Sequence, residues 1–438
     1  MGLLDPPVDQ STKIARRAIA ALDAAQANQV NVDQSWVFMG DSTGDATDEW
    51  IYRLLTGLAA RYPSLGFQWY GWTGADFYTN AASSPNYVVV QTASSGYPTI
   101  RFWNGSVSGT SFEYMNGKVM TAAQVKDPDV LVINTGHNEG QLVGKDFEMR
   151  YQSVITTARR LMPRAELVLC TQNPQVSPAT NAGSYQAQRR ASMHWLASVY
   201  GCSILDAYQA FMDTGAPSSY INSDGVHPSQ SGTYNGSQLW ANRALKAFGT
   251  LKGINPVVQP RTVFSTSEKN LLANPDFATY TTSPGVPDSW TGSNATCSKD
   301  TTNREPTYSW GCKIVPTATT SGAGAVYLEQ VITPAVAADI RSRWVTAFMR
   351  VWIPNGQGVN NAILKIQDGS TSTNTQWLSS PNLGSSHWFD VVCRHFVSSS
   401  ASGITVRFHG DFATTPSSSS NITIQKASLG LGLLPITV

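Results

Sequence analysis

The sequence predicts an α/β domain followed by an all-β antiparallel sandwich. Two observations carry this. Up to about residue 250, short apolar runs ending in Gly, Asn or Pro alternate with amphipathic helical stretches, as in a parallel sheet covered on both faces. Beyond that point helical periodicity vanishes, and alternating segments are separated by Ser/Gly/Asn/Pro clusters, as in a sandwich. The 438 residues fit two or three domains at about 150 residues each. The expected boundaries are an N-terminal helical segment 1–30, an α/β domain 31–252, a linker 253–269 and a β-sandwich 270–438.

Residues 10–28 (QSTKIARRAIAALDAAQAN) are Ala-rich and helical. Ile14, Ala18, Ala21 and Ala25 fall at coiled-coil spacing, as do Ala15, Ile19 and Leu22. So short a helix is marginal alone, so it docks either on its own domain or on sister chains as a homotrimer. Trp36-Val37-Phe38-Met39, closed by Gly40, reads as a buried strand. The stretch 45–61 carries Trp50, Leu54 and Leu58 at helical spacing, with Asp45 as the expected cap. A strand-like piece follows at 66–71, then aromatic, Ser/Gly-rich short strands and loops over 72–128. Further strands are expected at 129–134, 166–170 and 202–205, and helices at 146–162, 184–200 and 237–249. In the sandwich, 343–353, 362–367, 388–396 and 403–409 alternate as strands.

Composition excludes several functions. Thirty Lys and Arg balance 29 Asp and Glu, a net charge of +1, so no basic field exists to gather nucleic acid. Charged residues are 13% of the chain, about half the usual share, and uncharged polar groups cover the surface instead. No run of about 18 apolar residues is present to span a membrane. The start MGLLDPPVDQ lacks the basic and apolar pattern of a secretory signal. Five Cys make no disulfide scaffold; Cys297 and Cys312 read either as a bridge or as two buried thiols. Six scattered His with no CxxC or HxxxH spacing argue against a zinc site, and no metal or cofactor is expected.

Three short motifs carry chemistry. Gly40-Asp41-Ser42-Thr43-Gly44 lies where a strand hands over to a helix, exposing a Ser at the carboxyl edge of the sheet, where the helix N-terminus favours developing negative charge. Asp224-Gly225-Val226-His227-Pro228 places a carboxylate and an imidazole three residues apart on one turn, a general base with the group that fixes its tautomer. Gly136-His137-Asn138-Glu139 follows a strand and offers a side-chain amide to an oxyanion. The loop Asn104–Thr110 offers the Gly109 N–H to the same oxyanion. Elsewhere His194 reads as a packed or half-exposed helix residue and Asp206 as a turn residue. His387, His395 and His409 have no carboxylates at metal-ligand spacing, and no acid pair for glycoside cleavage stands out.

In this order the four residues Ser, Gly, Asn and His resemble the signature of the SGNH hydrolases, also called the GDSL esterase/lipase family, over roughly residues 30–250. Thr43 stands where the family has Leu, and Glu139 where it has Asp. The resemblance implies a flavodoxin-like three-layer fold and metal-free ester hydrolysis. Ser42 would be the nucleophile, His227 the base and then acid, and Asp224 the orienting carboxylate. The oxyanion hole would be Ser42, Gly109 and Asn138. The same residues also fit G-x-S-x-G of the α/β-hydrolases. However, Ser42 follows the first strand found, and that fold rarely puts Asp and His three apart.

The segment Asn270-Leu271-Leu272-Ala273-Asn274-Pro275-Asp276-Phe277 resembles the first strand of carbohydrate-binding jelly rolls, modules also found in bacteriophage tail proteins. Trp290, Trp310, Trp344, Trp352, Trp377 and Trp388 are read mostly as core. The expected activity is hydrolysis of acyl or acetyl esters of a cell-surface glycan or lipid. Two contexts stand open: a virion tail component with other tail proteins as partners, or a cytoplasmic or lysis-released enzyme. The rival function is a non-catalytic adhesin that uses the hydrolase fold as a scaffold.

Overall fold

The computed structural model describes residues 14–74, 77, 87–176, 182–249, 270–281, 285–305, 308–317, 326–332, 340–354, 359–378, 386–412 and 420–433. They form two compact units that divide near residue 262, with residues 116–118 and 149–157 grouped with the second. The expected linker 253–269 lies outside the described residues, as do residues 10–13 of the N-terminal stretch.

The first unit is built on a seven-stranded sheet: β1 (Gln34–Gly40), β2 (Gly66–Gly71), β3 (Tyr87–Gln91), β4 (Thr99–Asn104), β5 (Val130–Asn134), β6 (Glu166–Cys170) and β7 (Ser203–Leu205), in the order β3-β2-β4-β1-β5-β6-β7. All neighbours are parallel except β2 and β3. Parallel strands buried on both faces need apolar side chains in both directions. Accordingly Trp36 and Phe38 point into one core, and Val37 and Met39, on the other face, are equally buried.

The helices include α1 (Arg16–Gln26), α2 (Trp50–Arg61), α3 (Gly144–Leu161), α4 (Ala182–Tyr200), α5 (Ala207–Met212) and α6 (Gly236–Ala247). Helix α1 docks on its own domain. Ala18, Ile19, Leu22 and Ala25 join the core formed by α2, α6 and one face of the sheet. The Glu166 carboxylate accepts the first-turn N–H groups of Arg17 and Ala18 at 3.0 and 2.7 Å, a favourable charge at a helix N-terminus. The apolar stripe at coiled-coil spacing is thus used within the domain.

Two local expectations change. Helix α2 begins at Trp50, and Asp45 does not cap it; residues 45–49 form a turn in which the Glu49 carboxylate accepts the Ala46 N–H at 3.0 Å. The stretch 72–128, read as short strands and loops, ends in helical segments at Phe112–Tyr114, Met115–Val119 and Met120–Val125, and it holds β4, which inserts between β2 and β1 inside the sheet. Its alternating burial marks a strand, but nothing local places it beside β1.

Two side chains read as bland in sequence form one cluster. Asp206 caps α5 by accepting the Gln209 N–H, pairs with Nε and Nη2 of Arg190 at 2.9 and 2.7 Å, and accepts from His194 and Thr171. Burial alone would raise its carboxyl pKa, but His194 and Arg190 outweigh burial and hold it well below the usual range.

The second unit contains two five-stranded antiparallel sheets. The first has the order β15-β12-β17-β10-β9, built from β9 (Ala295–Asp300), β10 (Gly311–Pro316), β12 (Trp344–Ile353), β15 (His387–Phe396) and β17 (Ile422–Leu431). The second has the order β14-β13-β16-β11-β8, built from β8 (Thr291–Ser293), β11 (Val326–Ile332), β13 (Val359–Gln367), β14 (Ser372–Leu378) and β16 (Ile404–Phe412). This is the expected sandwich. The Asn270–Pro275 stretch clips both sheets. It bonds β17 through Leu271 N–H to Leu429 and Ala427 N–H to Pro275, and β11 through a reciprocal pair between Ala273 and Gln330.

The tryptophans depart from the core expectation. Only Trp290 is buried among those whose side chains are described; Trp310, Trp352 and Trp388 are half-buried and Trp344 is exposed. Trp344 and Trp352 lie towards the two ends of β12, and every residue between them, Val345 to Val351, is buried. The side chains of Trp377 and His387 lie outside the described residues. His395 bonds Thr373 and the buried Asp368, and His409 packs beside Tyr327. Cys297 and Cys312 are free, buried thiols. Among the described residues no helix is long and apolar enough to cross a membrane.

Replacing Asp206 by Ala should lower the unfolding free energy by about 2–4 kcal/mol, through a lost cap and a broken buried ion pair. Because the folded carboxyl sits below its unfolded value, its contribution is complete above about pH 4 and is lost as pH falls further. Urea titrations of both proteins at pH 7 and pH 3 measure it: the gap should narrow in acid.

Candidate active site

The site forms at the carboxyl edge of β1 and its neighbours. Gly40 ends β1 where space forbids a side chain: a Cβ there would stand 2.7 Å from Ser106 Oγ and 3.0 Å from the Asn134 carbonyl. Asp41, fully buried, then folds the chain back. Its Oδ1 accepts the Thr43 N–H at 3.1 Å and the Thr43 hydroxyl at 2.9 Å, and its Oδ2 accepts from Gln172 Nε2 at 3.1 Å. Asn104 closes the far side by donating to the Gly44 carbonyl at 2.7 Å. Ser42 is left half-buried at the crest, and its N–H has no acceptor among the described residues.

The second turn is organised by Asp224. Its Oδ1 accepts the N–H groups of Val226 and His227 at 2.8 and 2.9 Å. Gly225 takes the left-handed φ of 75° that the turn demands and that glycine adopts without cost. The other oxygen, Oδ2, accepts from His227 Nδ1 at 2.8 Å, and His227 Nε2 lies 2.7 Å from Ser42 Oγ. Partial burial works against the Asp224 charge, yet the two N–H groups and the imidazole outweigh it and hold its carboxyl below the usual range. With Nδ1–H committed to Asp224, Nε2 is left as the acceptor facing the serine hydroxyl.

These residues, 185 positions apart, meet because α2 and α6 pack together. Trp50 stacks on Trp240 with centroids 5.1 Å apart and planes within 2°. Arg53 donates to the Gln230 carbonyl and to Gln238, and Gln230 donates to Glu49 at 3.3 Å. Each contact joins the segment after Ser42 to the segment after His227.

Asn138 and Gly109 lie on two loops joined to each other. Asn138 Nδ2 donates to the Thr110 carbonyl at 2.9 Å, which fixes its rotamer and leaves its second N–H available. The Gly109 N–H, at a φ of 73°, has no acceptor among the described residues. Its loop is pinned to β1 by Gly105 N–H to Phe38 and Val107 N–H to Gly40. Glu139, in place of the motif's Asp, is buried and accepts the Phe112 N–H at 2.9 Å. Thr43, in place of Leu, joins the hydrogen-bonded turn.

A scan of family models matches residues 38–233 to the GDSL-like Lipase/Acylhydrolase family. This domain is an ester hydrolase of the GDSL type. No curated protein matches the chain. Among solved structures, a two-domain esterase active on acetylated mannans, co-crystallised with mannopentaose, is similar at 10% identity, covering 96% of each chain, with a TM-score of 0.41. A variant of Axe2, an acetyl-xylooligosaccharide esterase from Geobacillus stearothermophilus, is similar at 15% identity, covering 49% of this chain and 94% of its own, with a TM-score of 0.35. A xylan-binding domain is similar at 13% identity over 36% of this chain and 92% of its own, with a TM-score of 0.26.

In this GDSL domain several supporting residues carry no motif signal. Gln172 and Asn173 follow β6 after Thr171, and polar groups at a strand's carboxyl end are the one cue they give. Asn173 donates to the Val226 carbonyl at 2.7 Å, and its own carbonyl accepts from His137 Nε2 at 3.0 Å. It thereby ties the Asn138 loop to the His227 turn. Burial lowers the His137 pKa, against the Asp41 charge and the Asn173 carbonyl, which favour the protonated ring. Among the described residues no group of His, Cys, Asp and Glu is arranged to hold a metal.

Glu49 sits behind the serine turn with its carboxyl pushed up to about 8 by burial. Between its unfolded value near 4.5 and 8, the fold holds a proton that the unfolded chain has released, so stability falls as pH rises across that window. Glu49→Gln should be close to wild type at pH 5 and more stable by about 2–4 kcal/mol at pH 8. Urea unfolding midpoints at the two pH values give the comparison.

Proposed function

We propose that the chain cleaves acyl esters, acetyl esters foremost, on a glycan, with Ser42 as nucleophile. The observation that carries the reading is the continuous hydrogen-bonded chain Ser42–His227–Asp224. His227 Nε2 takes the hydroxyl proton as Ser42 Oγ attacks the ester carbonyl carbon. Asp224 stabilises the imidazolium that forms. Charge on the carbonyl oxygen is met by the N–H groups of Ser42 and Gly109 and the second amide N–H of Asn138. The tetrahedral species collapses, His227 gives its proton to the departing alcohol oxygen, and an acyl-serine remains. Water, deprotonated by the same imidazole, attacks it, and the carboxylic acid leaves with Ser42 restored.

The glycan half of the proposal rests on the second unit. Its β-sandwich begins with a sequence resembling carbohydrate-binding jelly rolls, and Trp310, Trp344, Trp352 and Trp388 are all at least partly exposed. Partly exposed aromatic faces of this kind can stack on sugar rings, and the net charge of +1 fits a neutral polymer.

Ser42→Ala should cut turnover of 4-nitrophenyl acetate by more than about 10³-fold with an unchanged circular dichroism melt, and a fluorophosphonate probe should label Ser42 alone, read by peptide mass. Undiminished turnover in the variant overturns the nucleophile. Acetate release from an acetylated polysaccharide should exceed fatty-acid release from a triacylglycerol emulsion; the reverse order overturns the glycan half.

A further inference from the structure

Arg189, on α4, is far in sequence from every motif residue, yet it is 2% exposed and its whole guanidinium is spent on one loop. Nη1 donates to the Gly136 carbonyl at 2.5 Å, Nη2 to the Gly140 carbonyl at 2.5 Å, and Nε to the Leu142 carbonyl at 2.9 Å. Those carbonyls bracket Asn138. The rings of Phe147 and Tyr185 lie 5.7 and 6.0 Å from the guanidinium carbon, so the side chain is held on its other sides as well.

The loop needs an outside clamp. Gly136 has φ 153° and Gly140 φ 54°, conformations open to glycine that make a loop intrinsically able to take other shapes. Asn138 itself is exposed, and among the described residues its side chain makes one bond, to Thr110. A donor to an oxyanion is effective only if it is already in place when charge develops. A planar fork of donors suits three converging carbonyls; an ammonium on a flexible stem does not.

We propose that Arg189 is a positioning residue for ester hydrolysis: by gripping Gly136, Gly140 and Leu142 it sets where the Asn138 amide stands during attack. This rests on the reading of Asn138 as an oxyanion donor. Arg189 touches no reacting atom; the inference requires that its loss act through Asn138, whereas an effect carried by the His137–Asn173 tie to the His227 turn would persist without the Asn138 amide.

The test is a double-mutant cycle on the full chain, with 4-nitrophenyl acetate as substrate. Asn138→Ala should lower kcat by about 10²–10³-fold. Arg189→Met, which keeps the aliphatic bulk, should lower kcat about tenfold or more while KM shifts less than about threefold. Adding Arg189→Met to Asn138→Ala should cost less than about twofold further, since the amide it positions is gone. Arg189→Lys should recover only part of kcat, and it serves as the probe if the Met variant does not fold. An undiminished further loss in the Asn138→Ala background, or full kcat in Arg189→Lys, overturns the inference while leaving the oxyanion reading standing. A silent Asn138→Ala, with Ser42→Ala still inactive, overturns the oxyanion reading and the inference with it.

Discussion

A single buried carboxylate, Asp41, is the constraint around which the edge of the first domain is arranged. A carboxylate removed from water must be met by donors or it costs several kcal/mol. Here the donors are the Thr43 N–H, the Thr43 hydroxyl and Gln172. Meeting them folds the chain sharply after β1, which lifts Ser42 to the crest. It also recruits the end of β6 to the end of β1, across β5. Thr43 is then more than a tolerated substitute for Leu, since its hydroxyl also receives a bond from Asn134 at the end of β5. Three strand ends are thereby fastened through one turn.

The same pattern recurs outward from that turn. Polar side chains with fixed geometry reach across to backbone carbonyls of neighbouring loops: Asn104 to Gly44, Asn173 to Val226, Arg189 to Gly136. Backbone acceptors cannot rotate away, so each such bond fixes a loop rather than a side chain. The result is a set of donors and acceptors oriented before any substrate arrives, the condition under which electrostatic stabilisation is most effective. The apolar counterpart is the Trp50–Trp240 stack, which sets the distance between the serine turn and the histidine turn through helix packing rather than through polar contacts.

The second unit follows a different logic. Its order comes from alternation and from clips such as Asn270–Pro275, which bonds to strands of both sheets. Asp368 plays a part like that of Asp41. It accepts N–H groups of Ser370, Thr371 and Ser398, and though partial burial opposes ionisation, these bonds hold its carboxyl well below the usual range. The tryptophans of β12 and β15 show the limit of reading burial from residue type: Trp344 and Trp352 stand towards the ends of β12, while Phe348 on the same face at its middle is buried.

Sequence by itself determined most of the elements and the residue types of the candidate site. Strand β1 was legible because Trp36 to Met39 must be buried, and the Asp-x-x-His turn because Asp224 and His227 are too close in sequence to be separated. The Ser, Asn and His motifs were legible as types of residue at strand ends. Tertiary structure alone decided that β4 inserts beside β1, that α1 is core, that Glu49 rather than Asp45 organises the turn before α2, and that Gln172, Asn173 and Arg189 hold the site. The physical reason is one of range. Periodicity and turn chemistry act over a few residues and leave a local trace. A hydrogen bond from Arg189 to Gly136, or a ring stacked on another 190 positions away, depends on how distant segments pack, and a single residue's identity does not record its partner.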